Sequence, residues 1–148
     1  MSEQFKGFEV KTYPAYSSIC RAGESENDLY IIHVGTILVC VNKGSEITPL
    51  AYLSDGEYFG ELSFFDHKER SAHAVAVTET KLIKIPFHEV QGVMPDWLIL
   101  LAEAVTKKIR HSDEVVRLKG IKRQNAQSIK PLSIEDQRTI YKILDIQS

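Results

Sequence analysis

The chain has 148 residues, 43% of them hydrophobic and 26% charged, with a formal net charge of −2 at pH 7. That balance suits one globular domain with a core of ordinary size, and it excludes a chain drawn to nucleic acid or an acidic membrane by bulk charge alone. Met1 to Lys11 is polar, without the apolar region of a signal peptide, and the longest strongly apolar run, Trp97 to Ala102, is too short to span a bilayer. The expected location is cytoplasmic, with Cys20 and Cys40 as reduced residues in apolar strands.

From residue 17 to 94 the chain reads as short strands with close turn signals. Ser18-Ile19-Cys20 precedes a turn at Ala22-Gly23-Glu24, and Leu29 to Val34 is a β run stopped at Gly35. Thr36 to Val41 is rich in β-branched residues and ends at Asn42-Lys43-Gly44; across Gly35 either a hairpin or one strand bent by a bulge fits. Ile47 to Leu53 leads to the turn Ser54-Asp55-Gly56-Glu57, and Ala72 to Val77 and Thr80 to Ile85 complete the set. Many short strands at this spacing predict a small barrel or sandwich.

The character changes at Pro86. Phe87 to Met94 suits a short helix, and Pro95 opens a longer one in which Leu98, Leu101, Val105 and Ile109 recur at three- and four-residue steps, with Gly120 as a stop. Such a helix packs on its own domain or pairs with a second copy. Ile121 to Lys130 reads as a polar linker. Ser133 with Asp136 forms a capping-box pattern before a final helix carrying Ile134, Ile140, Tyr141 and Leu144. The expected organisation is a domain over 1–119 and a linker with a terminal helix over 120–148. Charge follows this division: residues 1–105 hold 8 Lys and Arg against 15 Asp and Glu, while residues 106–130 hold 8 against 2. The basic stretch reads first as a solvated helix face and second as a surface for a partner.

Phe59-Gly60-Glu61-Leu62-Ser63, followed by Arg70-Ser71-Ala72, carries the chemistry. A cyclic phosphodiester has one negative charge and two free oxygens. A guanidinium can pair with both, and backbone N–H groups at the start of a helical turn add donors. Gly60 allows close approach, Glu61 can accept from a ribose hydroxyl, and Arg70 can meet the phosphate. The bland readings are a Glu61–Arg70 ion pair bracing a loop, Gly60 as a turn residue, and Ser71 as a strand residue. His73 either faces a ligand or lines its strand; His67 and Lys68 read as solvated.

Phe59-Gly60-Glu61-Leu62 with Glu69-Arg70-Ser71-Ala72 resembles the cassette of the cyclic-nucleotide-binding domain family, in its catabolite-activator and kinase regulatory-subunit branches. Gly23-Glu24, the strand Asp28 to Ile32, Gly35, Gly56 and the helices after Pro86 extend the resemblance over about residues 14 to 118. Glu69 departs from the proline many members carry there. The resemblance implies a mainly β fold, a jelly-roll-like β-roll followed by C-terminal helices. It implies a ligand, cAMP or else cGMP, and no cofactor. The ligand would be held by Phe59, Gly60, Glu61, Leu62, Ser63, Arg70, Ser71, Ala72 and His73, and Ser71 does not decide the base. It further implies a signal carried to an effector in cis or in trans, with the helix over 96–119 available for a homodimer. A ligand-independent docking module of the same fold is the alternative. No His-x-His pair suits a metal-dependent barrel enzyme, no Walker loop or nucleophile elbow occurs, and no helix-turn-helix pattern follows the long helix; neither enzymatic activity nor nucleic-acid binding is expected.

Overall fold

The computed structural model describes residues 3–119 and 132–144, and within them the side chains outside 114–119. The chain divides into units of residues 1–111 and 112–148, the division falling within a helix. The linker expected over Ile121 to Lys130 and the stop at Gly120 lie outside the described residues.

The first unit is built on two four-stranded antiparallel sheets. One carries β1 (Glu9–Tyr13), β8 (Thr80–Ile85), β3 (Leu29–Val34) and β6 (Tyr58–Phe59), in that order across the sheet. The other carries β2 (Ser18–Cys20), β7 (His73–Ala76), β4 (Ile37–Lys43) and β5 (Glu46–Leu53). The expected β-roll is thus present, with its helices after the strands: α1 (Glu61–Asp66) interrupts the strands, and α2 (Phe87–Val90) and α3 (Asp96–Lys119) follow them. Alternate residues of both sheets meet between them in a core of Tyr13, Cys20, Tyr30, Ile32, Ile37, Phe59, Ala74, Ala76 and Leu82. A second cluster, Phe64, Ile83 and Ile85, lies under α1 and α2 with Phe65, Phe87, Val90 and Met94 around it.

Neither reading of Gly35 holds. β3 and β4 lie in different sheets, so the chain crosses from one to the other at Gly35. Its φ is +123°, and a Cβ there would stand 2.4 Å from Thr80 Oγ1 and 2.8 Å from Thr80 Cα. Close approach to the buried start of β8 therefore admits only glycine. Two strands escaped the sequence reading. β1 has one buried residue, Tyr13, and takes its register from β8; β6 is two residues long.

On α3 the shielded face differs from the apolar stripe. Leu98, Leu101, Val105 and Ile109 are exposed, while Ile99, Ala102, Thr106 and Arg110 are the sheltered positions of the first unit. In the second unit α4 (Ile134–Leu144) begins as the capping pattern predicts, with the Asp136 N–H donating to Ser133 Oγ at 3.1 Å. Among the described residues no helix is long and apolar enough to cross a membrane.

Candidate functional site

Gly60 follows β6 and caps the start of α1 with φ +83°, a left-handed conformation natural to glycine. The first intrahelical bond runs from the Phe64 N–H to the Gly60 carbonyl at 3.1 Å, so the N–H groups of Glu61, Leu62 and Ser63 precede the helix's own ladder. Gly60 also makes room for a side chain. A Cβ on it would lie 2.4 Å from Arg70 Nη1 and 2.9 Å from the Asp28 carbonyl oxygen. Glycine is required here by the chain's turn and by the guanidinium packed on it.

Arg70 is 5% exposed. The turn after β2 clamps its backbone from both sides: the Gly23 N–H donates to the Arg70 carbonyl and the Arg70 N–H to the Glu24 carbonyl, each at 2.8 Å. Its Nη1 donates to the Gly60 carbonyl at 3.0 Å. Its Nη2 donates to the Asp28 carbonyl at 2.6 Å and to Glu26 Oε1 at 2.9 Å. Its Nε is buried and has no acceptor. A buried unpaired donor is costly, and its presence marks a place where an acceptor is wanted. The bracing pair envisaged between Glu61 and Arg70 does not form; Arg70 pairs with Glu26. Glu61, half-buried at the first position of α1, makes no hydrogen bond or ion pair among the described residues.

The remaining cassette residues divide. The Phe59 ring is buried between the sheets and stacks on Tyr30 with centroids 5.0 Å apart, so it supports the site from within the core. Leu62 and Ala72 are half-buried and Ser71 is exposed. Ser63 is buried, and its hydroxyl accepts from Arg110 Nη2 at 3.3 Å, directing it toward α3. His73 lines β7: its Nδ1 accepts from the Ala22 N–H at 3.0 Å and its Nε2 lies 2.7 Å from Asn42 Oδ1. With the first nitrogen accepting, the proton belongs on Nε2, and the ring ties three segments together.

The far end of α1 has its own arginine. Arg110 of α3 meets Asp66 side-on, with Nε donating to Oδ2 and Nη2 to Oδ1, the latter at 3.0 Å. Burial pushes the Asp66 carboxyl up, but the Arg110 hydrogen bonds, the Lys68 N–H and the neighbouring charges outweigh it and hold the group below its ordinary value. Beside this pair an open cleft is lined by Phe65, Asp66, His67, Lys68, Glu103 and Lys107, at the opposite end of α1 from Arg70. Burial pushes the Cys20 thiol up to about 11 against the opposing charge of Arg70, which leaves it an inert core group.

Sequence reasoning missed three residues of this arrangement: Glu26, Asp28 and Arg110. Asp28 enters the sequence pattern only as the start of a strand, and Glu26, between Gly23-Glu24 and that strand, belongs to no motif. Arg110 was read only as one of several basic residues on a solvated helix.

The profile of the cyclic nucleotide-binding domain matches residues 10–96. The chain belongs to the cyclic nucleotide-binding domain family. It is 34% identical over 111 residues to the cyclic AMP receptor protein of Thermus thermophilus, covering 72% of this chain and 51% of that protein. It is 31% identical over 113 residues to the cAMP-activated global transcriptional regulator CRP of Salmonella typhimurium, covering 72% and 53%. The chain thus spans about half the length of the curated relatives it matches. The crystal structure of the Thermus thermophilus catabolite activator protein superposes with a TM-score of 0.62 at 29% identity, over 77% of this chain and 55% of that one. The two-sheet roll with trailing helices is shared, and family membership agrees with the resemblance carried by Phe59 to Ala72.

Proposed function

We propose that this chain is a cyclic nucleotide receptor, with cAMP as its ligand and no catalytic activity of its own, and that α3 carries the bound state to an effector or a second subunit. The observation that carries this is the buried Arg70 guanidinium with one donor unpartnered, set beside Gly60 and the free N–H groups that open α1. A cyclic phosphate brings two acceptor oxygens, one of which can meet the unpartnered Nε. Glu61, unengaged among the described residues, is the acceptor for the ribose hydroxyl. The preference for cAMP rests on relatives named for that ligand.

The relay is supported by the Arg110 pair. The helix that meets the phosphate at its first turn is tied at its last residue to α3, so a tilt of α1 pulls directly on α3. A ligand that binds one placement of α1 more tightly shifts the population of both elements.

Calorimetric titration with cAMP and cGMP tests the reading, using protein denatured and refolded to remove carried-over ligand. One-per-chain saturable cAMP binding is expected, and Arg70→Ala should weaken it by about 2–5 kcal/mol, as for a buried charge losing its partner. Unchanged binding by Arg70→Ala would remove the phosphate assignment.

The exposed stripe Leu98, Leu101, Val105 and Ile109 favours a second reading, a ligand-independent dimerisation or docking module of the same fold. Light scattering discriminates: a dimer without nucleotide that Leu101→Glu converts to monomer, together with no binding of either nucleotide, would make this the function.

A further inference from the structure

We propose that Glu26 is an intramolecular competitor for the anion site, its carboxylate occupying in the ligand-free chain the Arg70 donor that a phosphodiester takes. The inference rests on the receptor reading and assigns to it a residue that sets affinity.

The donors of Arg70 separate by how firmly they are held. The Gly60 and Asp28 acceptors are backbone carbonyls at the ends of β6 and β3, and these elements pair with each other. The Asp28 carboxylate is further anchored by Lys84 of β8 at 3.2 Å. Glu26, by contrast, reaches Arg70 with its side chain, which is 35% exposed against 3% for that of Arg70. Among the described residues it is the one side-chain acceptor of Arg70, so it can swing away without moving the backbone. Among the acidic side chains of its loop it alone faces Arg70: Glu24 accepts from the Arg21 N–H, and Asp28 faces Lys84.

A guanidinium presents Nε and Nη2 on one side as a fork that matches two oxygens of a phosphate. Here Nε is unpartnered, while Nη2 is taken by Glu26 and Asp28. Forked binding therefore requires an acceptor to leave Nη2, and the exposed carboxylate is the one that can. If it stayed, two anions would share one buried cation. Without it, Arg70 remains held by two carbonyls on its guanidinium and two backbone hydrogen bonds, so the guanidinium does not need Glu26 for its placement. Glu26 has other bonds that stabilise its present position, accepting from the Asp28 N–H and the Tyr30 hydroxyl, both at 3.1 Å. Burial first, and the Glu26 charge second, push the Tyr30 hydroxyl well above its ordinary value, so it stays a donor.

The test is calorimetric titration of the full chain with cAMP, and with adenosine as the phosphate-free probe, for the parent, Glu26→Gln and Glu26→Asp. Glutamine keeps an acceptor for Asp28 and Tyr30 and removes the charge; aspartate keeps the charge on a shorter arm. Glu26→Gln should bind cAMP about twofold to fivefold more tightly than the parent, the scale of one partly exposed ion pair, with adenosine affinity unchanged. Glu26→Asp should shift in the same direction by less, and serves if the glutamine variant does not fold. Weaker cAMP binding by the variants, with the parent binding normally, would overturn the proposal and make Glu26 a positioning residue for Arg70. An equal gain for adenosine would overturn it as well. If the parent binds no cyclic nucleotide, the receptor reading itself falls and takes this inference with it.

Discussion

Arg70 and Arg110 grip the two ends of one short helix, and they do so with partners of different kinds. At the first turn of α1, Arg70 is buried among two backbone carbonyls and one partly exposed carboxylate, with a donor left over. At the last turn, Arg110 faces Asp66 with two parallel hydrogen bonds and adds Ser63. The first arrangement leaves a buried donor unpaired and suits a group that must accept an anion from outside. The second is closed and suits a mechanical tie. The difference teaches that a buried arginine becomes a binding residue through what its surroundings leave unsatisfied, since both side chains here carry the same charge and both touch a carboxylate.

The comparison is broken most severely at Gly60. Gly60→Ala places a Cβ 2.4 Å from Arg70 Nη1 at a residue with φ +83°. Left-handed strain and overpacking together should cost about 2–4 kcal/mol, a fall of roughly 10 °C in melting temperature. The damage should be confined to one end of α1. Nucleotide binding should be lost well below the new melting temperature, while Asp66→Asn should destabilise the variant as much as it does the parent. Equal loss of both responses would show that the two ends are not separable.

How much of this was legible in the chain depends on whether the signal was local. Leu29 to Val34, Ile37 to Lys43 and Thr80 to Ile85 carry their β-branched residues openly, and Phe59-Gly60-Glu61-Leu62 with Arg70-Ser71-Ala72 marks the cassette by its resemblance to the family pattern. The switch of sheets at Gly35 was not readable, because a glycine announces a positive φ and does not say which strands it separates. β1 was hidden because Glu9-Val10-Lys11-Thr12 stays exposed and its pairing lies some seventy residues away on β8. The periodicity of α3 identified an amphipathic helix and pointed to the wrong face for intramolecular packing. The residues sheltered against the rest of the unit include Thr106 and Arg110, which a search for apolar residues passes over. Glu26 is 44 positions from the arginine it holds, and the pattern in its own loop, Gly23-Glu24, points to its neighbour instead.

The tie at Arg110 sharpens the comparison more gently. The side chains of Arg110 and Asp66 are 18% and 14% exposed, between the surface pairs that contribute little and the buried pairs that are costly to break. Arg110→Ala should therefore cost about 1–3 kcal/mol in chemical denaturation, and most of that should disappear in an Asp66→Asn background, since the two substitutions remove one interaction. Acid provides an independent check. The Asp66 carboxyl is held below its ordinary value of 3.8 in the folded chain, so the unfolded chain takes up the proton first as pH falls. The tie's contribution is then fully present above that value and is lost as pH drops through the folded one. Parent and Asp66→Asn should differ by a constant amount from neutral pH down to about pH 5, and converge as pH falls further. The affinity of Arg110→Ala for cAMP should stay close to that of the parent, because Arg70 and its carbonyls are untouched. What it should lose is the response of α3, read as the nucleotide-induced change in a fluorophore on the helix. A variant that binds normally and still reports through α3 would leave Arg110 as a structural brace and move the relay to the packing of Thr106 and Ala102.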